Sequence, residues 1–192
     1  MKLQDLQFLP PTALATSQTV YRVQRAKARP GTPTVGPLKL APAGDRISRF
    51  AVASALAGYF AESPEAAVYE SLVRREASSL SISNAASRVL LCLRTTRPIQ
   101  LLDLRPHAST WPALQSLRFT ATQEVAEEAV AAGFEGIAYR SAQQHGQDCF
   151  VVFGAVLQEF RLIWRKALVL QDGSMHQALA AAIRGGQIPV VP

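Results

Sequence analysis

The sequence predicts an α+β fold, one domain over residues 1–192 with a small, mostly antiparallel β core flanked by helices. Three observations carry this. Apolar residues make up 48% of the chain and charged residues 18%, the balance of a polypeptide that buries a core. Strand-like and helix-like segments are interspersed without the repeated strand–helix–strand rhythm of a doubly wound parallel sheet. The longest apolar runs, such as Val151 to Phe153 and Val89 to Leu93, fall far short of the roughly 20 residues that span a bilayer. No membrane-spanning segment is therefore expected.

Each element has a local cause. The first residues, MKLQDLQFLPPTALA, carry one lysine and a short mixed run broken by two prolines. They lack the apolar stretch of a signal peptide, so a cytoplasmic location is expected. TVYRVQRA reads as a short strand. Residues 29–45, RPGTPTVGPLKLAPAGD, hold four prolines and three glycines, which excludes a regular helix or central strand and predicts a long loop. After ISRFAVASALAGYFAES, Ser63 as N-cap, Pro64 in the first turn and Glu65 beyond it start a helix, and good helix formers continue it over 64–77.

RVLLCLRT and IQLLDL then read as strands joined by a tight connection at Thr96, Arg97 and Pro98. A loop with Pro106 and Pro112 follows. A helix over Thr120 to Ala132 is predicted, capped by Thr120 or Thr122 and ended by Gly133. GIAYRS and CFVVF are short strands around the polar loop AQQHGQD. FRLIWRKALVL resembles one more strand, and MHQALAAAIRGG a terminal helix closed by glycines.

The net charge of +6 gathers in Arg22, Arg25, Lys27, Arg29 and Lys39 and again in Arg161, Arg165 and Lys166. Such charge suits phosphates or an acidic protein. No helix-turn-helix, zinc finger or RNP-type aromatic pattern accompanies it, so direct nucleic-acid binding is not expected. Cys92 and Cys149 sit in apolar stretches and read as buried core thiols rather than a disulfide. His107, His145 and His176 have no Cys, Asp or Glu at ligand spacing, and no metal is expected. There is no internal repeat, no P-loop and no GxGxxG.

The chemically informative window brings Arg46, Arg49, Tyr59, Glu62, Glu65, Tyr69 and Glu70 together. On a helix from Pro64, residues Ala66, Ala67, Glu70, Val73 and Arg74 share one side, which puts a carboxylate among small and apolar neighbours. By spacing alone Glu70 is read first as a surface charge paired with Arg74, contributing a few tenths of a kcal/mol. Ser141, at a strand end, reads as a turn former, with no G-x-S-x-G elbow around it.

The order "YRV", "SRF", "GYFAESPEAAVYESL" and "GIAYRS…DCFVVFG" resembles the RES-domain family, bacterial toxins often encoded beside a helix-turn-helix antitoxin. The resemblance covers about residues 19–154 and leaves 155–192 as a C-terminal extension. It implies a core similar to ADP-ribosyltransferases and NAD⁺ as substrate, cleaved at the nicotinamide–ribose bond with water or phosphate as acceptor. The family's Arg, Glu and Ser fall on Arg49, Glu70 and Ser141, implied to be catalytic. Arg22 and Tyr59, with Arg49 and Ser141, are implied to hold the dinucleotide, and Tyr69 from the window around Glu70 is expected beside them. Two positions depart from the family pattern: Ala51, where a polar residue is common, and Asp148, where Asn is frequent. Alternatives are transfer of ADP-ribose to a macromolecule, or a binding module without catalysis. A cognate antitoxin is the implied partner, drawn by the basic segment from Arg25 to Lys39.

Overall fold

The computed structural model describes residues 11–45, 47–115 and 119–192. The reading of residues 1–10 and the inclusion of Arg46 in the chemical window lie outside the described residues. The chain runs β1 (Thr12–Leu14), β2 (Thr19–Arg25), β3 (Thr34–Val35), β4 (Leu38–Lys39), β5 (Ala57–Ala61), α1 (Pro64–Ser71), β6 (Leu80–Ser81) and α2 (Ile82–Ala86). It continues through β7 (Arg88–Thr95), β8 (Ile99–Asp103), α3 (Thr120–Ala131), β9 (Gly136–Arg140), β10 (Asp148–Phe153), β11 (Phe160–Ala167), α4 (Gln177–Gly186) and β12 (Val190–Val191).

The β core is larger than expected. Eight strands form one sheet in the order β1-β8-β9-β10-β5-β2-β7-β11. Every neighbouring pair in it is antiparallel except β8 with β9. Alternation along the strands sorts side chains into two cores. Ile137, Tyr139, Cys149 and Val151 join α1, α3 and α4 on one face. Ala138, Phe150 and Val152 face the other way and meet Leu91, Leu93, Ile99 and Leu101. Cys92 and Cys149 are free buried thiols.

β7 and β8 do not pair, although only Thr96 to Pro98 separates them. β7 lies between β2 and β11, and β8 between β1 and β9. The sheet curls so that Leu91 and Leu93 on β7 pack across one core from Ile99 and Leu101 on β8. The short link crosses that core's rim instead of closing a hairpin. β9 and β10 approach closely at Gly136, where a Cβ would stand 2.3 Å from the Val151 carbonyl oxygen.

Four local expectations change. The long loop contains a small hairpin, β3 with β4, turning at Gly36 with φ of +53°. α1 ends at Ser71 rather than at residue 77. The Ser71 hydroxyl donates back to the Ala67 carbonyl at 2.9 Å, and the chain then turns to bury Leu72 and Val73. α3 is capped at Phe119 with no side-chain bond, because the Thr122 hydroxyl is engaged elsewhere. α4 is closed by left-handed Gln187, and its glycines serve packing: a Cβ on Gly185 would stand 2.3 Å from the Tyr69 hydroxyl and one on Gly186 2.7 Å from Val73. Through β11 and α4, residues 155–192 thus join the main sheet and the helical layer. Among the described residues no helix is long and apolar enough to cross a membrane.

Candidate active site

β2 and β5 meet through the single register pair Tyr21 and Ala61, so the sheet splays between them. A cleft of about 210 Å³ occupies the gap, floored by Tyr21, Arg22 and Tyr59 and walled by Glu70 and Arg74 from the α1 side. A smaller pocket of about 120 Å³ shares Arg22, Ser48 and Tyr59 with it, and is otherwise lined largely by small apolar side chains.

Three arginines bring to the cleft donors that are unmatched among the described residues. Arg22, on β2, gives Nη1 to the Tyr59 carbonyl at 2.8 Å and Nη2 to the Lys39 carbonyl at 3.0 Å. Its Nε is buried without a partner. Burial pushes this guanidinium down to about 10, partly offset by Tyr59 and Tyr139. Arg49 is only 8% exposed, and its Nε and Nη1 have no partner. Arg74 pairs Nη2 with Glu76 at 2.5 Å, while its Nε is also buried and unmatched. Buried donors without acceptors are costly, so such a cluster is expected where an anionic ligand supplies the acceptors.

The Arg49 loop is held from both sides. The Tyr59 hydroxyl donates to Ser48 Oγ at 2.9 Å and accepts from the Phe50 amide at 3.0 Å. Burial raises the Tyr59 phenol above its usual value, against which Ser48, Phe50, Arg22 and Arg49 act. From α3, Thr122 Oγ1 donates to the Arg49 carbonyl at 2.6 Å and Gln123 Nε2 to the Ser48 carbonyl at 3.0 Å. The ring of Phe50 packs on Tyr139 with centroids 4.8 Å apart.

Glu70 does not pair with Arg74. Ser141 Oγ, 3% exposed at the end of β9, donates to Glu70 Oε1 at 2.5 Å. Ser141 Oγ in turn accepts from the Gln143 and Gln144 amides at 3.1 and 2.9 Å. Ser141 is therefore both the turn former its local sequence implied and the group that orients the carboxylate. This bond leaves Glu70 Oε2 unpaired among the described residues. The next strand end carries a charged lattice: Asp148 accepts from Arg105 at 2.8 Å and from Arg140 at 2.5 Å, and Arg105 also holds Asp103 at 2.6 Å. At this departure from the family pattern, the aspartate links β10 to the turn after β8 and to β9.

Arg22, Arg49, Tyr59 and Glu70 therefore line one cleft, and Ser141 stands behind Glu70. Tyr69 does not line it. One residue along a helix rotates the side chain by about 100°, and Tyr69 packs on Gly185 and Gly186 of α4. Sequence reasoning did not single out Arg74, Ser48, Thr122 and Gln123 as site residues. Arg74 was visible only as a helix neighbour of Glu70, and the other three act through backbone carbonyls or a phenol, which no motif announces. Among the described residues no group of His, Cys, Asp or Glu is arranged to hold a metal ion.

A family model described as the RES domain matches residues 19–167, extending through β11 beyond the resemblance read from the sequence. Among solved structures, the chain is similar to one in the crystal structure of the M. tuberculosis MbcT–MbcA toxin–antitoxin complex. The likeness has a TM-score of 0.54 at 17% identity and covers 80% of this chain and 85% of that one. It bears on the fold. No curated protein matches.

Proposed function

The chain belongs to the RES domain family, and from that premise we propose that it is the toxin of a toxin–antitoxin pair and cleaves the nicotinamide–ribose bond of NAD⁺. The observation that carries the reading is the cleft itself: a serine-oriented carboxylate beside three guanidinium groups with buried, unmatched donors. A dinucleotide offers both complements, a pyrophosphate for the arginines and a ribose for the carboxylate. Planar guanidinium groups bind phosphate oxygens in pairs, which suits Arg22 and Arg49. The adjoining pocket across Arg22 and Tyr59 allows a ligand longer than the main cleft.

In the proposed reaction the bond between nicotinamide nitrogen and ribose C1′ breaks, and its electron pair leaves with neutral nicotinamide. No strong acid is needed. C1′ and the ring oxygen share the positive charge that develops, and the Glu70 carboxylate stabilises it while Oε2 accepts from a ribose hydroxyl. Ser141 holds Oε1 and orients the carboxylate rather than attacking. The Tyr59 ring offers a face for nicotinamide or ribose, with its hydroxyl already committed to the Arg49 loop. The acceptor oxygen, from water or inorganic phosphate, bonds to C1′. Hydrolysis releases one proton per turnover; phosphorolysis leaves the phosphate on the ribose.

Such an activity requires restraint in its own cell. A cognate antitoxin with a helix-turn-helix domain is the proposed partner; the similar M. tuberculosis chain comes from a toxin–antitoxin complex.

The test is NAD⁺ turnover by purified protein, with and without phosphate, in wild type and Glu70→Gln. The glutamine keeps an oxygen for Ser141 but no charge. A fall of about a thousandfold is expected for a lost electrostatic stabiliser of this kind. Unchanged turnover in the folded variant removes Glu70 from the site, and no turnover by the wild type with ADP-ribose appearing on added proteins favours a transferase.

A further inference from the structure

The outer strand β11 carries a second unmatched charge system, built differently from the cleft. Among the described residues β11 pairs only with β7, and Arg161 stands directly opposite Arg94 in that register. One strand further in, Arg25 of β2 stands directly opposite Arg88 of β7. Like charges directly opposite each other in a sheet are unfavourable. Burial lowers the Arg88 guanidinium, and Arg25 and Arg29 lower it further. Arg165 and Lys166 extend the same strand, and Lys166 lies 5.0 Å above the Trp164 ring. Among the described residues, ion pairs engage only Arg74, Arg97, Arg105 and Arg140, so Arg25, Arg29, Arg88, Arg94, Arg161, Arg165 and Lys166 have no carboxylate partner there.

Apolar surface lies within the strip. Leu162 is 45% and Ile163 43% exposed, on either side of the pairing irregularity between Leu162 and Trp164. Basic residues and a bulge on an edge strand guard against self-association. That explains Arg161, Arg165 and Lys166, but not the charged pairs reaching inward to Arg88 and Arg25, nor the exposed leucine and isoleucine.

We propose that the β11 edge docks an acidic, extended segment of another polypeptide, which adds alongside β11 with carboxylates over the arginines and apolar side chains on Leu162 and Ile163. A second copy of this chain would oppose Arg161, Arg165 and Lys166 to themselves. A nucleic acid would match the charge but not the two aliphatic side chains. It would also find Trp164 packed on Tyr21, with centroids 6.1 Å apart, and covered by Lys166 rather than free for base stacking. An acidic strand meets all three features: the charge, the apolar pair and the free edge.

The full chain is tested with three synthetic peptides matched in length to β11. One alternates Glu or Asp with Val or Thr, one replaces its acids with Lys, and one keeps the acids but carries prolines. Binding is read by fluorescence anisotropy and by hydrogen exchange. The acidic strand-forming peptide is expected to bind, to protect amides within residues 160–167, and to weaken at least about tenfold in Arg161→Glu/Arg165→Glu/Lys166→Glu; the other two peptides bind at least as weakly as that variant does. Arg161→Glu alone guards against misfolding, since it creates an opposite-charge pair with Arg94 and is expected to melt no lower than the wild type. The proposal is overturned if charge reversal leaves peptide binding unchanged, if an oligonucleotide of equal charge binds more tightly, or if the wild type sediments as a dimer through this edge. None of these readouts depends on NAD⁺ turnover.

Discussion

Replacing Arg49 with methionine should make the protein more stable and less able to bind a dinucleotide. Arg49 is 8% exposed, with Nε and Nη1 buried and unpaired among the described residues. Each unmet buried donor costs about 1–3 kcal/mol, and a buried charge without a partner costs more. Methionine fills similar space without polar atoms. The Thr122 and Gln123 bonds that hold this loop go to backbone carbonyls and survive the change. A gain of about 1–3 kcal/mol is therefore expected, and at about 2–4 °C per kcal/mol for a chain of this size the melting temperature should rise by about 2–12 °C. With ligand the sign reverses. Losing one or two charge-assisted bonds to phosphate, each worth about 1.5–3 kcal/mol, weakens binding by about tenfold or more. The assay is thermal melting with and without ADP-ribose, which keeps the pyrophosphate but has no nicotinamide bond to cleave. Wild type should show a ligand-dependent rise and the variant little or none. An Arg49→Met protein that melts below wild type, or that keeps the full ADP-ribose shift, would refute the claim that Arg49 is held unsatisfied for an anion.

Three further outcomes follow from individual contacts. Ser141→Ala removes the bond to Glu70 Oε1, so NAD⁺ turnover should fall by about tenfold to a hundredfold, the equivalent of about 1.5–3 kcal/mol, with the circular dichroism spectrum retained. Gly136→Ala forces a Cβ against the Val151 carbonyl and should destabilise the protein by about 1–3 kcal/mol in denaturant titration; an unchanged midpoint would mean that β9 and β10 do not approach so closely. His176 caps α4 by accepting from the Ala178 amide through Nδ1, and burial and then Lys166 depress its protonation, with Glu65 opposing. A histidine depressed in the folded state contributes its stability above the unfolded value of about 6.5 and loses it as pH falls below that. Melting temperature should drop from pH 7 toward pH 5, and His176→Asn, which keeps a capping oxygen and cannot titrate, should flatten that part of the profile.

Short-range signals were legible where a residue and its near neighbours act together. Ser63 accepts from the Ala66 amide with Pro64 behind it, as the N-cap pattern predicts. β2, β7, β9 and β10 follow from alternating or continuous apolar runs. The same local reasoning overextended α1, because burial of Leu72 and Val73 outweighed the helix propensity of the residues after Ser71. It also put Tyr69 in the site, since a sequence window does not say which side of the helix faces the cleft. The Arg–Glu–Ser set was reached through an ordered resemblance rather than through spacing, for Glu70 and Ser141 are 71 residues apart.

By itself the sequence determined the α+β class, most element positions and a short set of candidate residues, because periodicity, caps and turn chemistry act over a few residues. Only the tertiary structure decided that β7 and β8 part to opposite ends of the strand order, that β2 and β5 separate into a cleft, and that Arg74 joins Arg22 and Arg49 there. Those outcomes depend on which buried faces meet across the curled sheet. Many apolar strands could satisfy one another locally, and close packing of the whole core selects the pairing that buries them all.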